Sequence, residues 1–511
     1  MKIMKSTLGL AVLALAAPVA AQESIHTAFS YQAPLDQEIA ASSLSIQSAF
    51  NYTPVTPLPA VIEQSSLQTA FNYTLLEQEP PVLEQRSLQT AFNYSLSDDE
   101  DADKHATNGK SGCGCAGEAS CGCEEASCGC EPDCGCNGGC SSGGCSSGGW
   151  FGMCDDCIGD AWSIHEEFMP CCDTVIAGWV AVGYHSDLTG LSRQYGDLRD
   201  FNDVPGNFNL HQGYMYFEKI ADGSDCSLDY GWRFDAMYGT DAQKMQATGN
   251  PSATWDQGWD HGIYGWALPQ LYGEVAYGDF SVIAGHFITP MGYESVLSPQ
   301  NFFYSHSLQS FNSEPFTHTG VLSKYKTDGG WTFYNGWTLG WDTGFDQFGG
   351  GSNYLGGAGY KPNDDFEVVY LTTIGNLGKR SDSTFGYAHA IYVVAMLSED
   401  WEYGLASDYY NSNGYFDDPS FNVEEIGIAN YLYYTVSERI ALGGRAEWWK
   451  SNSVNGESTS FYEITGGINY WVNANIVIRP EMRYDWAPAE ASLGDFQYNR
   501  GIFGVDAVIT F

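Results

Sequence analysis

The chain has 511 residues, with 63 acidic against 21 basic side chains and a formal net charge of −42. So negative a chain repels nucleic acid and anionic lipid surfaces, which excludes both as partners. No run of 18 apolar residues occurs beyond the N-terminus, which excludes helical membrane spans, whereas 15 % aromatics and 59 glycines suit interfacial belts, tight turns and closely packed strands.

The first 21 residues read as a secretory signal. Lys2 and Lys5 give a positive start, Leu8 to Ala17 an apolar core, and Val19-Ala20-Ala21 a small-residue cleavage site before Gln22. The core is too short to span as an anchor. Export is therefore expected. Residues 22–97 carry a motif that returns every 21 residues: Ser24 to Tyr31, Ser45 to Tyr52, Ser66 to Tyr73 and Ser87 to Tyr94. Self-similarity at a short period marks an array, and the prolines between motifs, such as Pro57 and Pro80, prevent one continuous helix. Two readings stay open: a docking array whose Phe and Tyr anchor a periplasmic or cell-wall partner, and a spacer grown by duplication.

Residues 98–173 begin with the acidic run Asp98 to Asp103 and continue into a Gly/Ser/Cys tract from Cys113 to Cys172. Neighbouring Cys-Gly-Cys pairs close poorly on themselves, because a disulfide needs a specific torsion and Cα separation. Longer-range or intermolecular disulfides fit an oxidising compartment; thiolate ligation of zinc or copper(I) is the alternative. The cross-linked tether is the reading kept for the segment, and no cofactor is expected.

From 174 to 511 the texture is that of alternating segments separated by turns, 16 in all. Leu228, Tyr230, Trp232, Phe234 and Tyr238 share one face of a strand, against Asp229, Arg233 and Asp235. Further on, Ile440, Leu442, Ala446 and Trp448 oppose Arg445 and Glu447, and Ile464, Ile468 and Tyr470 oppose Glu463 and Asn469. Ile478, Met482, Tyr484 and Trp486 oppose Arg479, Glu481, Arg483 and Asp485, and the last strand ends on Phe511. Connections alternate short and long. The short ones include 222–225, 278–279, 327–330, 362–364, 398–400, 437–438 and 473–475, and the long ones 188–206, 240–261, 292–315, 343–351, 375–383, 412–420, 450–459 and 488–501. A soluble sandwich has no reason for that alternation. An all-β, transmembrane, antiparallel up-and-down barrel does, with short periplasmic turns, long outer loops, an apolar face toward outer-membrane lipid and a charged face toward the lumen. Arg233, Asp235, Arg445, Glu447, Arg479, Glu481, Arg483 and Asp485 are the expected lumen residues.

The stretch Gly285-His286-Phe287-Ile288-Thr289-Pro290-Met291-Gly292-Tyr293-Glu294, then Ser298-Pro299-Gln300-Asn301-Phe302-Phe303-Tyr304-Ser305 and Pro315-Phe316-Thr317-His318-Thr319-Gly320-Val321, resembles the β-barrel porins of the OmpL-like family. The resemblance covers the barrel region and implies a bacterial outer-membrane diffusion channel for small hydrophilic solutes and ions. By analogy with general porins, whose third loop folds inward, Glu294 and Glu314 are expected at a constriction that favours cations. Cys226 lies beside the first short turn and Cys171-Cys172 just before the first strand, so these thiols share one rim, either bonded to each other or unpaired.

No nucleophile–base grouping, nucleotide loop or metal-protease pattern appears, and His389 on a strand is a structural histidine before it is a catalytic one. The expectation is a porin, trimeric or monomeric, and not an enzyme. The alternative is a structural anchor that joins the barrel to the cell wall through the repeats and disulfides.

Overall fold

A computed structural model describes residues 158, 160–169, 173–189, 201–224, 227–247, 256, 258, 260–345, 350–378, 385–415, 418–453, 457–488 and 499–511. The signal, the four repeats, the Cys tract, and with them Cys171, Cys172 and Cys226, lie outside the described residues.

The described chain opens with a one-turn helix, α1 (Ile164–Phe168), and then enters a single sheet. Its strands are β1 (Val175–His185), β2 (Asn209–Lys219), β3 (Asp229–Gly239), β4 (Gly265–Ala267), β5 (Leu271–Tyr277), β6 (Phe280–Ile288), β7 (Thr317–Lys326), β8 (Trp331–Trp341) and β9 (Ser352–Asn363). They continue as β10 (Phe366–Asn376), β11 (Phe385–Met396), β12 (Trp401–Tyr415), β13 (Asp418–Ser437), β14 (Ile440–Ser451), β15 (Thr459–Asn473), β16 (Ile476–Trp486) and β17 (Arg500–Thr510). Two further short helices, α2 (Ala242–Met245) and α3 (Leu308–Ser313), lie in connections.

Neighbouring strands pair antiparallel, and β17 returns to β1 in a register that runs from Trp179↔Thr510 to His185↔Gly504. The sheet is therefore a closed barrel. Both β4 and β5 pair with β3, so they are two pieces of one stave broken at 268–270, and the barrel has 16 staves.

Polarity is inverted relative to a water-soluble protein. Tyr230, Ile464 and Met482 are 68 %, 51 % and 59 % exposed, whereas Asp235 and Arg445 on the alternate positions are 0 % and 1 % exposed. Period-two alternation sends the first set outward and the second inward, and an apolar outer belt is what a bilayer selects. Connections follow the predicted alternation, with one difference. Much of the long loop expected at 412–420 is ladder instead, because β12 runs to Tyr415 and β13 begins at Asp418, with those two residues paired.

The chain end completes the ring. The Gly178 N–H donates to the Phe511 carbonyl (3.0 Å) and the Phe511 N–H to the Gly178 carbonyl (2.9 Å). A Cβ on Gly178 would come within 3.0 Å of the Phe511 ring and would run into the Tyr214 carbonyl as well. At the same rim the Trp162 N–H donates to the Asn475 side-chain oxygen (2.7 Å), and the Asn475 amide returns a bond to the Trp162 carbonyl (2.7 Å) and another to Thr510 (3.0 Å). Gly178→Val should lower the yield of heat-modifiable, folded barrel in outer-membrane fractions several-fold, as should deletion of Phe511. Yields equal to wild type for both variants would show that the seat is dispensable.

Candidate functional site: the third loop against the inner wall

The connection between β6 and β7, residues 289–316, does not stay at the rim. Tyr293, Leu297, Phe302, Phe303, Phe311 and Phe316 in it are all buried, and they form one apolar cluster with Trp179, Tyr214, Tyr431 and Tyr433 of the wall. The loop therefore folds into the barrel.

Charges on β14 and β16 hold its backbone. The Arg445 guanidinium donates to the Ser305 carbonyl (2.7 Å), to the Ser305 hydroxyl (3.0 Å) and to Glu294 (2.9 Å), while its Nε reaches Glu463 (2.9 Å). Glu447 accepts the Leu308 and Gln309 N–H groups (both 2.6 Å), the first two of α3, where a helix leaves its donors unpaired. The Glu481 carboxylate takes the N–H groups of Tyr304 (3.0 Å) and Ser305 (3.2 Å). Arg483 donates to the His306 carbonyl (2.6 Å), and Arg479 to the carbonyls of Ser298 (2.8 Å) and Asn301 (2.5 Å). Behind these contacts, Arg479 is bidentate with Asp506 (2.9 and 2.6 Å), and Arg483 bonds Asp485 (2.8 Å).

Glycine makes room for the loop's side chains. Gly443, Gly467 and Gly504 lie in one inward row, linked by the pairs Gly443↔Gly467, Gly467↔Glu481 and Glu481↔Gly504. Phe302, Phe303 and Tyr304 occupy that row in the same order. A Cβ would lie 3.2 Å from Phe303 at Gly467 and 2.9 Å from Tyr304 at Gly504, and at Gly443 it would run into the Phe302 ring.

Most of the expected lumen residues thus meet at one place, against the third loop. Arg445, Glu447, Arg479, Glu481 and Arg483 bond to the loop, and Asp485 supports Arg483. Arg233 and Asp235 form a separate network, in which Arg233 bridges Glu218 (2.7 Å) and Asp235 (2.8 Å) with its guanidinium over the Tyr216 ring. Glu294 is buried and also accepts from Tyr431 (2.9 Å), Ser307 (2.8 Å) and Ser310 (2.9 Å). Burial alone would raise its pKa; Arg445, His306 and the Ser307 N–H outweigh that and hold the carboxyl below its usual range. Glu314 lies apart, facing Asp408 of β12, and burial followed by repulsion from Asp408 holds it well above the usual range. His389 is on the outer face, bonded to the Tyr387 hydroxyl (3.0 Å) and stacked on Tyr409. Among the described residues no group of three or more His, Cys, Asp or Glu could hold a metal ion.

Sequence reading missed the glycine row, Asp408 and the roles of Glu463 and Asp506. The last two were visible as inward charges; the glycine row depends on strand register, which no local pattern displays.

Residues 174–511 match the family described as "Putative beta-barrel porin-2, OmpL-like". The chain belongs to that family. Its place is accordingly the outer membrane, and its family and fold are those of a channel rather than an enzyme. No curated protein matches this OmpL-like porin. Solved structures similar to it include a loop-deletion mutant of OmpT, an outer membrane protein of Vibrio cholerae, with 11 % identity and a TM-score of 0.45, covering 66 % of this chain and 99 % of that one. The outer membrane channel DcaP of Acinetobacter baumannii shows 10 % identity and a TM-score of 0.44, covering 66 % and 97 %. An anion-selective porin from Comamonas acidovorans shows 10 % identity and a TM-score of 0.45, covering 66 % and 99 %. At such low identity, the chemistry of the bore is read from this chain's own residues.

Arg445→Met would leave Glu294 and Glu463 buried without their shared partner, and breaking such a pair costs about 3–5 kcal/mol. The heat-unfolding midpoint of the barrel, followed by gel mobility, should fall clearly and recover in part in Arg445→Met/Glu294→Gln. An unchanged midpoint in the single variant would show that the loop is held elsewhere.

Proposed function

We propose that this porin is a diffusion channel of restricted bore that passes small hydrophilic solutes and favours cations. The observation that supports the preference is the balance of buried charge. Among the described residues sixteen Asp and Glu are buried against six Lys and Arg. Arg233, Lys244, Arg445, Arg479 and Arg483 are each bonded to a carboxylate, so the surplus on the inner surfaces is negative. A negative wall beside a narrow, low-dielectric passage concentrates cations and repels anions.

In this reading the bore is set by the third loop and not by the girth of 16 staves. Glu294 contributes little to selectivity, because Arg445 and three other donors already compensate it. Glu425 of β13 is a better carrier: it faces inward and takes only serine hydroxyls, from Ser313 (2.9 Å), Ser451 (3.1 Å) and Ser453 (2.7 Å). Removal of the N-terminal signal on export, and assembly as a monomer or trimer, belong to the same reading.

A second reading, the structural anchor, is favoured by one specific feature. Trp162, ahead of the barrel, is bonded to the Asn475 turn, so the N-terminal extension leaves from a fixed point on the rim. Planar-bilayer recording under a salt gradient separates the two. A channel gives discrete ohmic steps with a reversal potential on the cation side, and Glu425→Gln moves that potential toward zero. A folded barrel that inserts and stays silent selects the anchor, and a reversal potential on the anion side removes the cation preference.

A further inference from the structure

Where α3 ends, the third loop returns to the wall at Glu314, opposite Asp408 of β12. Both carboxyls are 1 % exposed and lie within hydrogen-bond reach of each other, and no other group among the described residues donates to any of their four oxygens. The other carboxylates of this contact are different: Glu294, Glu447 and Glu481 each accept two or more donors.

Gln309, on the first turn of α3, packs against the strand beside Asp408 and is a second buried polar side chain here. It is 0 % exposed, and neither its amide oxygen nor its amide nitrogen has a partner. It lies over Gly427, where a Cβ would run into the amide, and Gly427 is the cross-strand partner of Asp408. On the far side Gly292 closes the space, since a Cβ there would run into the Glu314 carboxylate. The nearby charged groups are Glu294 on the loop and Glu447 on β14, both negative, and Arg445, which is engaged with Glu294 and Glu463.

Two facing carboxyls and an amide oxygen offer a donor set of oxygen alone. Buried charges are retained when they are paired or coordinate a metal. Oxygen-only sets suit hard cations; calcium accepts six to eight oxygens in flexible geometry, whereas magnesium demands a near-ideal octahedron and keeps its water. Zinc and copper look for nitrogen or sulfur, which this nook lacks. We infer that Glu314, Asp408 and Gln309 form a site for a hard divalent cation of the calcium class, which ties the C-terminal end of the third loop to β12. The site is independent of whether the barrel conducts.

The test is calorimetric titration of calcium chloride into the full-length, EDTA-treated protein folded in detergent, at an ionic strength that screens diffuse binding to so acidic a chain. One tight site per chain is expected above the background. It should be absent in Asp408→Asn and at least tenfold weaker in Gln309→Ala, with magnesium weaker than calcium throughout. Folding of each variant is checked by heat-modifiable mobility, and Glu314→Gln replaces Asp408→Asn should the latter not fold. Isotherms of folded variants that superimpose on wild type overturn the inference. So does an Asp408→Asn barrel of raised heat stability with no calcium dependence in either protein, the behaviour of two carboxyls that share a proton.

Discussion

Hydrocarbon supplies no hydrogen bonds, and each backbone polar group left unpaired in it is penalised by several kcal/mol. The rest of this structure follows from that constraint. The sheet closes, from the β1–β17 ladder through the bonds between Gly178 and Phe511, so that no strand presents an edge to lipid. Closure then fixes what alternation means. Tyr230, Ile464 and Met482 go to the outside, and every charge on the alternate positions is confined to a small interior. Confined charges need partners, and a long inward loop supplies them as backbone N–H and C=O groups.

The contact between loop and wall is not simply a set of ion pairs. Buried ion pairs are weak evidence of stability, because desolvation offsets most of the attraction. What distinguishes this contact is that charges and shape share one register. Arg445, Glu481 and Arg479 grip residues 298–305, while Phe302, Phe303 and Tyr304 fill a row emptied of side chains by Gly443, Gly467 and Gly504. A loop displaced by one residue would lose the hydrogen bonds and the packing together. The third loop is therefore a fixed part of the inner wall, and a separate buried apolar cluster, which includes Ile283, Leu322, Leu355 and Leu371, packs within β6–β10.

Much of the fold was legible in the sequence because period-two alternation is local. A strand such as Ile476 to Trp486 displays its two faces without reference to any neighbour, and loop lengths reveal which ends lie on the same side. Legibility failed where register decides. Arg445 and Glu294 are 151 residues apart, and nothing local announces their bond. The inward charges could be assigned to a face, yet not to partners, so they looked like free groups lining water when the fold engages them with a loop. Gly443 and Gly467 are silent in a sequence for the same reason, since their role lies in the side chains that other segments bring to them. The extension of β12 and β13 was hidden differently: its polar residues read as loop, although they continue the ladder.

The junction at Asn475 has a mechanical consequence. The chain ahead of β1 could in principle drag that strand away from its neighbours one rung at a time, the geometry in which a ladder is weakest. Trp162 instead exchanges two hydrogen bonds with a turn 313 residues further on, and that turn also bonds Thr510 beside the chain end. Traction arriving along the N-terminal extension is thus divided between β1 and the β15–β16 turn before it reaches the sheet.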